Sequence, residues 1–156
     1  MATTDLSAEV LASFPPVVIR LSLVEPSPTA VVAGQMDLSR FMSCFDTVYE
    51  FLHSDTHVKQ VGHNIALYDS GARLEVGVEV DVAFDSEGPV VSSRLPGGRV
   101  AHATHTTGYA DLAETYTAIK RWCDHHGHAT TGIQWEIYGD PDERDHVDVE
   151  VCYLLA

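Results

Sequence analysis

The chain consists of two similar halves, and this internal repeat constrains its fold more than any other feature of the sequence. One half spans about residues 17–84 and the other about residues 90–155. Each half opens with an apolar, β-branched segment, passes through a turn that contains proline, and continues into a strand of small residues. Matching positions lie 70 or 71 residues apart, as Tyr68 and Tyr138 do. The chain is therefore expected to contain two copies of one supersecondary unit.

Each half also carries one predicted helix, and the two helices share a register. Apolar side chains recur every three or four residues, which is typical of an amphipathic helix that packs one face on a core. They are Leu38, Phe41, Phe45, Val48 and Leu52 in the first half, and Tyr109, Leu112, Tyr116, Ile119 and Cys123 in the second. Asp37 and Asp111 stand near the helix starts, where a carboxylate can satisfy free backbone N–H groups. Two further strands close each half, which predicts an α+β fold with a mostly antiparallel sheet.

Length and hydropathy indicate one globular domain over residues 1–156, with 45% hydrophobic residues. Residues 1–15 precede the first repeat, and we expect them to form a tail or a short helix. The N-terminus shows no basic segment followed by an apolar run, and no stretch approaches the roughly 18 apolar residues of a membrane span. The three cysteines include no C-x-x-C pair, which is typical of reduced thiols. A cytoplasmic protein without membrane contact is predicted.

The net charge limits the classes of molecule that the protein is expected to bind. Nine Lys and Arg residues against twenty-three Asp and Glu residues give a formal charge of −14. Such a field repels nucleic acid and anionic lipid and concentrates cations near the surface. We therefore expect no nucleic-acid partner, and a monomer rather than an oligomer. An alternative explanation of the charge is solubility alone.

The nine histidines raise the question of a metal site, because His102 lies close to His105 in sequence, and His125, His126 and His128 form a second group. Their spacing matches no H-E-x-x-H or Cys/His zinc pattern, so no metal is predicted. The cysteines lack the His and Asn signature of a thiol nucleophile, and there is no G-x-S-x-G motif or phosphate-binding glycine loop. No cofactor is expected.

Alternation along the later strands predicts which side chains share a face of the sheet. In Leu74–Val82 the valines point to one side, which must meet the helices. The same argument sends Trp135 to the helix side. The face away from the helices then collects the polar and aromatic side chains Tyr68, Tyr138, Glu75, Glu136 and Glu150. Carboxylates and phenols on one concave surface would suit a flat cation. The alternative is the wet face of an open antiparallel sheet.

Several motifs resemble those of one family. The second half contains the run LPGGRVAHATHTTGYADL at residues 95–112, then WEIYGDP at 135–141 and VEV at 149–151. Their order and spacing are similar to the second-half signature of the GyrI-like domain, the effector-binding module of AraC- and MerR-type multidrug regulators. The resemblance covers nearly the whole chain after about residue 15. It implies two βαββ units related by a pseudo-twofold axis, with a concave antiparallel sheet, two helices on one face and a ligand cleft between the halves.

The resemblance also implies site residues. Family ligands are lipophilic, aromatic and often cationic, and a central glutamate and aromatic walls hold them. Glu150 is the best positional match to that glutamate, with Glu136 second. Tyr138, Tyr68 and Trp135 would supply the walls, although the alternation argument places Trp135 on the helix side.

The resulting expectation is a stand-alone bacterial module that binds or sequesters lipophilic, aromatic, cationic molecules in drug resistance. Enzymatic activity stays open, because some GyrI-like proteins are associated with hydrolysis of strained cyclopropane rings in DNA-alkylating compounds. Glu150 or Glu136, with Tyr138, would carry that chemistry inside an aromatic cage. A third alternative is a protein partner such as gyrase or a regulator, which an acidic, DNA-like surface would allow.

Overall fold

The computed structural model describes residues 3–11, 17–35, 37–54, 56–71, 73–86 and 88–156. Within these residues there are nine strands and two α-helices. In chain order they are β1 (Thr3–Leu11), β2 (Val17–Val24), β3 (Ser27–Gln35), α1 (Phe41–His53), β4 (Gln60–Asp69), β5 (Arg73–Val80), β6 (Val90–Leu95), β7 (Gly98–His105), α2 (Leu112–His125), β8 (Thr130–Tyr138) and β9 (Val149–Leu155). A single 3₁₀ turn precedes each helix, at Leu38–Arg40 and at Tyr109–Asp111.

All the strands belong to one sheet, in the order β1-β2-β7-β9-β8-β4-β5-β3-β6, and each neighbouring pair is antiparallel. The units β3-α1-β4-β5 and β7-α2-β8-β9 supply three adjacent strands each and meet where β4 pairs with β8. The first strand of each repeat is exchanged: β2 pairs with β7, and β6 pairs with β3. A pseudo-twofold axis between β4 and β8 relates the halves. The predicted α+β class with an antiparallel sheet and two helices is confirmed.

Two short links force the sheet to curl. β2 and β3 are separated by six interstrand spacings in the sheet, about 29 Å if it were flat. Only Glu25 and Pro26 join them, and such a link reaches about 11 Å. Pro96 and Gly97 join β6 to β7 in the same way, and a Cβ on Gly97 would lie 2.5 Å from Pro26 Cδ. The outer strands therefore close on each other, and the sheet wraps around an interior.

Apart from the exposed edge strand β1, the sheet is covered on both faces. Its inner, concave face holds one core cluster, to which both ends and the centre of the sheet contribute: Val24, Val31, Ile65, Leu67, Leu95, Val100, Trp135 and Cys152. The helices pack on the outer face. Val48 of α1 packs with Val78 and Val80 of β5, and Ile119 of α2 packs with residues of β7 and β9. The two helices thus share one face, as predicted.

The two aspartates near the helix starts behave differently. Asp37 Oδ1 accepts hydrogen bonds from the hydroxyl and backbone N–H of Ser39, at 2.6 and 3.1 Å, and these bonds lower the pKa of Asp37. Asp111 makes no capping bond to the α2 backbone. Its carboxylate accepts a hydrogen bond from Thr107 instead, at 2.8 Å, and lies 3.3 Å from His105 Nε2. Asp111 therefore connects the start of α2 to β7.

The N-terminal segment corrects the expectation of a tail or short helix over residues 1–15. Thr3–Leu11 forms β1, which pairs with β2 at the edge of the sheet; the other residues of that range lie outside the described part of the chain. Two side-chain bonds hold β1: Trp122 Nε1 donates to Glu9 at 2.7 Å, and Ser22 donates to Asp5 at 3.2 Å. The sequence pattern missed this strand because eight of its nine residues are exposed and show no alternation of burial.

Candidate functional site

A cleft runs along β4 and β8 on the outer face of the sheet, between the two helices. α1 packs against β3, β5 and β6, and α2 against β2, β7 and β9, which leaves a gap above the two central strands. At the floor of this gap Ala66 lies directly across from Glu136. Tyr68 lies two residues beyond Ala66 in β4, and Tyr138 lies two residues beyond Glu136 in β8. Because the strands are antiparallel, the two tyrosines lie on opposite sides of the pair. The side chain of Tyr116 enters the gap from α2.

Glu136 is the central polar group of the cleft. Only 4% of the residue is exposed. Its Oε1 accepts a hydrogen bond from the Tyr138 hydroxyl at 2.6 Å, and its Oε2 accepts one from the Tyr116 hydroxyl. None of the ion pairs within 4.0 Å among the described residues involves this carboxylate. Two phenols therefore satisfy a buried carboxylate that has no cationic partner from the described protein.

The surrounding phenols are held in their protonated form. Burial raises the pKa of Tyr138, Tyr116 and Tyr68, and the nearby negative charge of Glu136 raises it further. A protonated phenol is a hydrogen-bond donor, and a carboxylate is only an acceptor. The cluster consequently combines one acceptor with donors that keep their protons.

A cavity of about 560 Å³ opens at the Tyr138 end of the cleft. Its walls come from α1, the 3₁₀ turn before α2 and the loop after β8, and they are mainly apolar. Phe41 and Phe45 meet the Tyr138 ring edge-on, with centroids 6.2 and 6.3 Å away. Tyr109, which is 63% exposed, stands at the rim. This size and lining suit a small aromatic molecule.

A second cavity, of about 320 Å³, lies at the Tyr68 end. Its lining residues carry polar groups: besides Tyr68, Tyr116 and Glu136 they include Asp69 and Gln134. Glu136 borders this cavity directly, whereas on the other side the Tyr138 ring stands between the carboxylate and the larger space. The two cavities therefore flank one central cluster.

The predicted site residues do not share one face, which corrects the alternation argument. The structure brings Glu136, Tyr138 and Tyr68 together, but on the helix side of the sheet. Glu75, Glu150 and Trp135 lie on the inner face. Alternation predicts the correct face only if the apolar residues of every strand point to the helices. In β4 and β8 they fill the interior of the curled sheet instead, and the polar residues face the gap between the helices.

The inner-face residues have structural partners. Glu150 contacts His102 Nδ1 through one oxygen and accepts a hydrogen bond from the Thr104 hydroxyl through the other. Glu75 accepts a hydrogen bond from the Ser93 hydroxyl, and Arg73 Nε lies 3.4 Å from it.

Trp135 is 1% exposed and belongs to the interior core. Neither Glu75, Glu150 nor Trp135 lines the two cavities of the cleft.

The sequence patterns placed other cleft residues in the helix core. Tyr116, Phe41, Phe45 and Tyr109 were expected only as packing residues of amphipathic helices. Their aromatic character carried a signal, since Phe45 and Tyr116 occupy the same register position in the two halves and both point toward the central strands. Among the described residues no group of three or more His, Cys, Asp or Glu side chains could hold a metal ion. No described helix is long and apolar enough to cross a membrane.

Solved structures with low sequence identity share this fold. The C-terminal domain of EcmrR matches with a TM-score of 0.79 and 14% identity, over 90% of this chain and 98% of that domain. EcmrR in its complex with DNA matches with a TM-score of 0.75 and 14% identity, over 88% of this chain and 56% of the longer one. A hydrolase from Listeria innocua matches with a TM-score of 0.60 and 13% identity, over 88% of this chain and 91% of that one. No curated protein matches the chain in sequence.

A family model identifies the chain more directly than these folds do. The GyrI-like small molecule binding domain matches residues 24–154, which include both helices and the whole central cleft. The match begins at the end of β2, so β1 lies outside it. The chain therefore belongs to the GyrI-like family of small-molecule-binding domains.

Proposed function

We propose that the cleft between α1 and α2 binds lipophilic, aromatic cations, with Glu136 as its central carboxylate. The observation that carries this proposal is a carboxylate that is 4% exposed and has phenols as its hydrogen-bond partners. Removing a carboxylate from water costs free energy that two hydroxyl bonds offset only in part. A cationic ligand would supply the missing opposite charge in a site of low dielectric.

The aromatic walls of the cleft support the proposal that its ligands are lipophilic and aromatic. The rings of Phe41, Phe45 and Tyr138 line a cavity of about 560 Å³ and meet one another edge-on. Such rings attract planar molecules through apolar contact and attract cations through their quadrupoles. The formal charge of −14 would raise the local concentration of cations and disfavour direct contact with nucleic acid. We therefore propose that the protein sequesters toxic cations in the cytoplasm and contributes to drug resistance in bacteria.

A second candidate function is hydrolysis of cyclopropane-containing alkylating compounds. Tyr116 and Tyr138 both remain protonated beside Glu136. Water would attack a cyclopropane carbon as the ring C–C bond breaks, Glu136 would accept the proton of that water, and a tyrosine would protonate the phenolate oxygen that develops. Incubation with such a compound and mass spectrometry of the product would test it. Ring-opened product that disappears with Glu136→Gln would support hydrolysis, whereas binding without product would refute it.

Fluorescence titration with matched planar dyes tests the binding proposal. We expect a cationic dye to bind more tightly than its neutral and anionic analogues, and Glu136→Gln to weaken the cation alone by about ten- to a hundredfold. Glu150→Gln is the matched control, because it makes the same change on the opposite face of the sheet. If Glu136→Gln weakens all dyes equally, or if Glu150→Gln has the larger effect, the central role of Glu136 is wrong.

A further inference from the structure

We propose that the cleft takes an elongated ligand with two different ends, a planar aromatic group at one and a protonated amine at the other. The proposal rests on the proposed function and adds the class of ligand, an aromatic cation that carries an alkylamine tail. It follows from the position of the two cavities relative to Glu136.

The two cavities lie along one strand. Gln134, Glu136 and Tyr138 occupy alternate positions of β8 and point to the same face. Gln134 and Glu136 line the smaller cavity, and Tyr138 lines the larger one. The four residue steps from Gln134 to Tyr138 span about 13 Å. A ligand that reaches both cavities must therefore be longer than a single ring system and must pass the Tyr138 ring. The long axis of the cleft follows β8 between the two helices.

The ends of the cleft differ in chemistry. The larger cavity is lined mainly by apolar and aromatic side chains, with Asp46 and Asn64 as its polar exceptions. The smaller cavity is lined by two carboxylates, those of Asp69 and Glu136, and contains no Lys, Arg or His in its lining among the described residues. An aromatic group therefore fits the first end, and a hydrogen-bond donor with positive charge fits the second.

Asp69 is the residue that distinguishes the amine end. It ends β4, is partly buried, and its Oδ1 accepts a hydrogen bond from the Gly71 backbone N–H at 3.1 Å. That bond holds the turn after β4 and is available equally to an asparagine. Asp69→Asn would therefore remove the charge and keep the turn. Asp46→Asn makes the same change at the aromatic end.

Three acridines provide the test: 9-aminoacridine, its derivative with a 4-aminobutyl tail on the exocyclic nitrogen, and the equivalent with a 4-hydroxybutyl tail. Each is titrated against the wild-type chain, Asp69→Asn and Asp46→Asn. We expect the aminobutyl compound to bind about three- to tenfold more tightly than the hydroxybutyl compound, which is the size of a half-exposed charge-assisted contact. Asp69→Asn should reduce this preference, because Glu136 then remains as the carboxylate of the smaller cavity, and Asp46→Asn should keep it.

Each outcome bears on one proposal or the other. Equal binding of the two tailed acridines to the wild-type chain would overturn the two-ended ligand and leave aromatic-cation binding intact. A preference that is lost in Asp46→Asn and kept in Asp69→Asn would also overturn it, because the amine would then occupy the opposite end. Failure of all three acridines to bind would reject the proposed function itself.

Discussion

Glu75 and Glu150 occupy equivalent positions in the two repeats, but only Glu75 contacts a serine directly, which is Ser93. Glu75 lies across from Leu67 and accepts a hydrogen bond from Ser93. Glu150 lies across from Ile137, and His102 stands between it and Ser22, with His102 Nε2 2.7 Å from the Ser22 hydroxyl. The inner face of the sheet thus contains a Glu-His-Ser network in one half and a Glu-Ser pair in the other.

This network predicts that Glu150 contributes to stability and not to ligand binding. Glu150→Gln should lower the free energy of unfolding by about 1–2 kcal/mol, since it weakens the bonds to His102 and Thr104. Cationic dyes should bind unchanged. Urea unfolding and dye titration of the same variant check both parts. A large loss of dye affinity with unchanged stability would contradict the assignment.

Tyr138→Phe tests the contribution of the Tyr138 hydroxyl separately from the contribution of its ring. Loss of the hydroxyl leaves Glu136 Oε1 without that donor, so the free energy of unfolding should fall by about 1–2 kcal/mol. The ring remains, and a ligand cation no longer competes with the phenol, so a cationic dye should bind more tightly while a neutral dye is unaffected. Isothermal titration with both dyes measures this difference.

The matched control is Tyr49→Phe. Tyr49 lines the same cavity, but its hydroxyl donates to Asn64 and not to Glu136. The Tyr49→Phe variant should have a lower free energy of unfolding, but its affinity for a cationic dye should not change relative to its affinity for a neutral dye. A gain of cation affinity in both variants would show that the effect does not pass through Glu136.

Four buried or partly buried tyrosines predict that the protein loses stability at alkaline pH. Burial raises the pKa of Tyr153 to about 12, and raises that of Tyr68, Tyr116 and Tyr138 as well. Because the folded state keeps these protons longer than the unfolded chain, their contribution is fully present below about pH 10 and is lost as the pH rises toward the folded values. Phenolate absorbance and circular dichroism, recorded together, should show these phenols ionising as the protein unfolds. Their ionisation well before unfolding would contradict the prediction.

Gly77→Ala tests the close approach of β5 to β3. A Cβ at Gly77 would lie 1.9 Å from the backbone oxygen of Ala30, which cannot move without breaking the sheet. We expect a loss of about 3 kcal/mol or more, or failure to fold. Gly34→Ala is the control, since no atom of the described residues lies within 4 Å of its Cβ position, and its effect should stay within about 0.5 kcal/mol. Thermal unfolding compares the two, and equal stability would mean that β3 and β5 are not this close.

The helices and strands of the repeat could be predicted from the sequence. The face of the sheet on which each side chain lies could not. The positions of Phe45 and Tyr116 in the two helices, and of Tyr68 and Tyr138 in the strands, followed from spacing alone. The side on which Glu136 or Trp135 lies did not, because a sheet that is buried on both faces has no wet side for alternation to reveal. The exchange of β2 and β6 between the halves depends on long-range pairing, which a repeat pattern does not contain.

Ala66 and Glu136 face each other at the pseudo-twofold axis, where β4 meets β8. Two identical subunits in this arrangement would carry the same residue at both positions, so a glutamate on one would oppose a glutamate on the other about 5 Å away. Joining the units in one polypeptide frees the two positions to diverge. Covalent fusion is thus what permits a single charge on the axis, and it turns a symmetric groove into a cleft with a distinct head and tail.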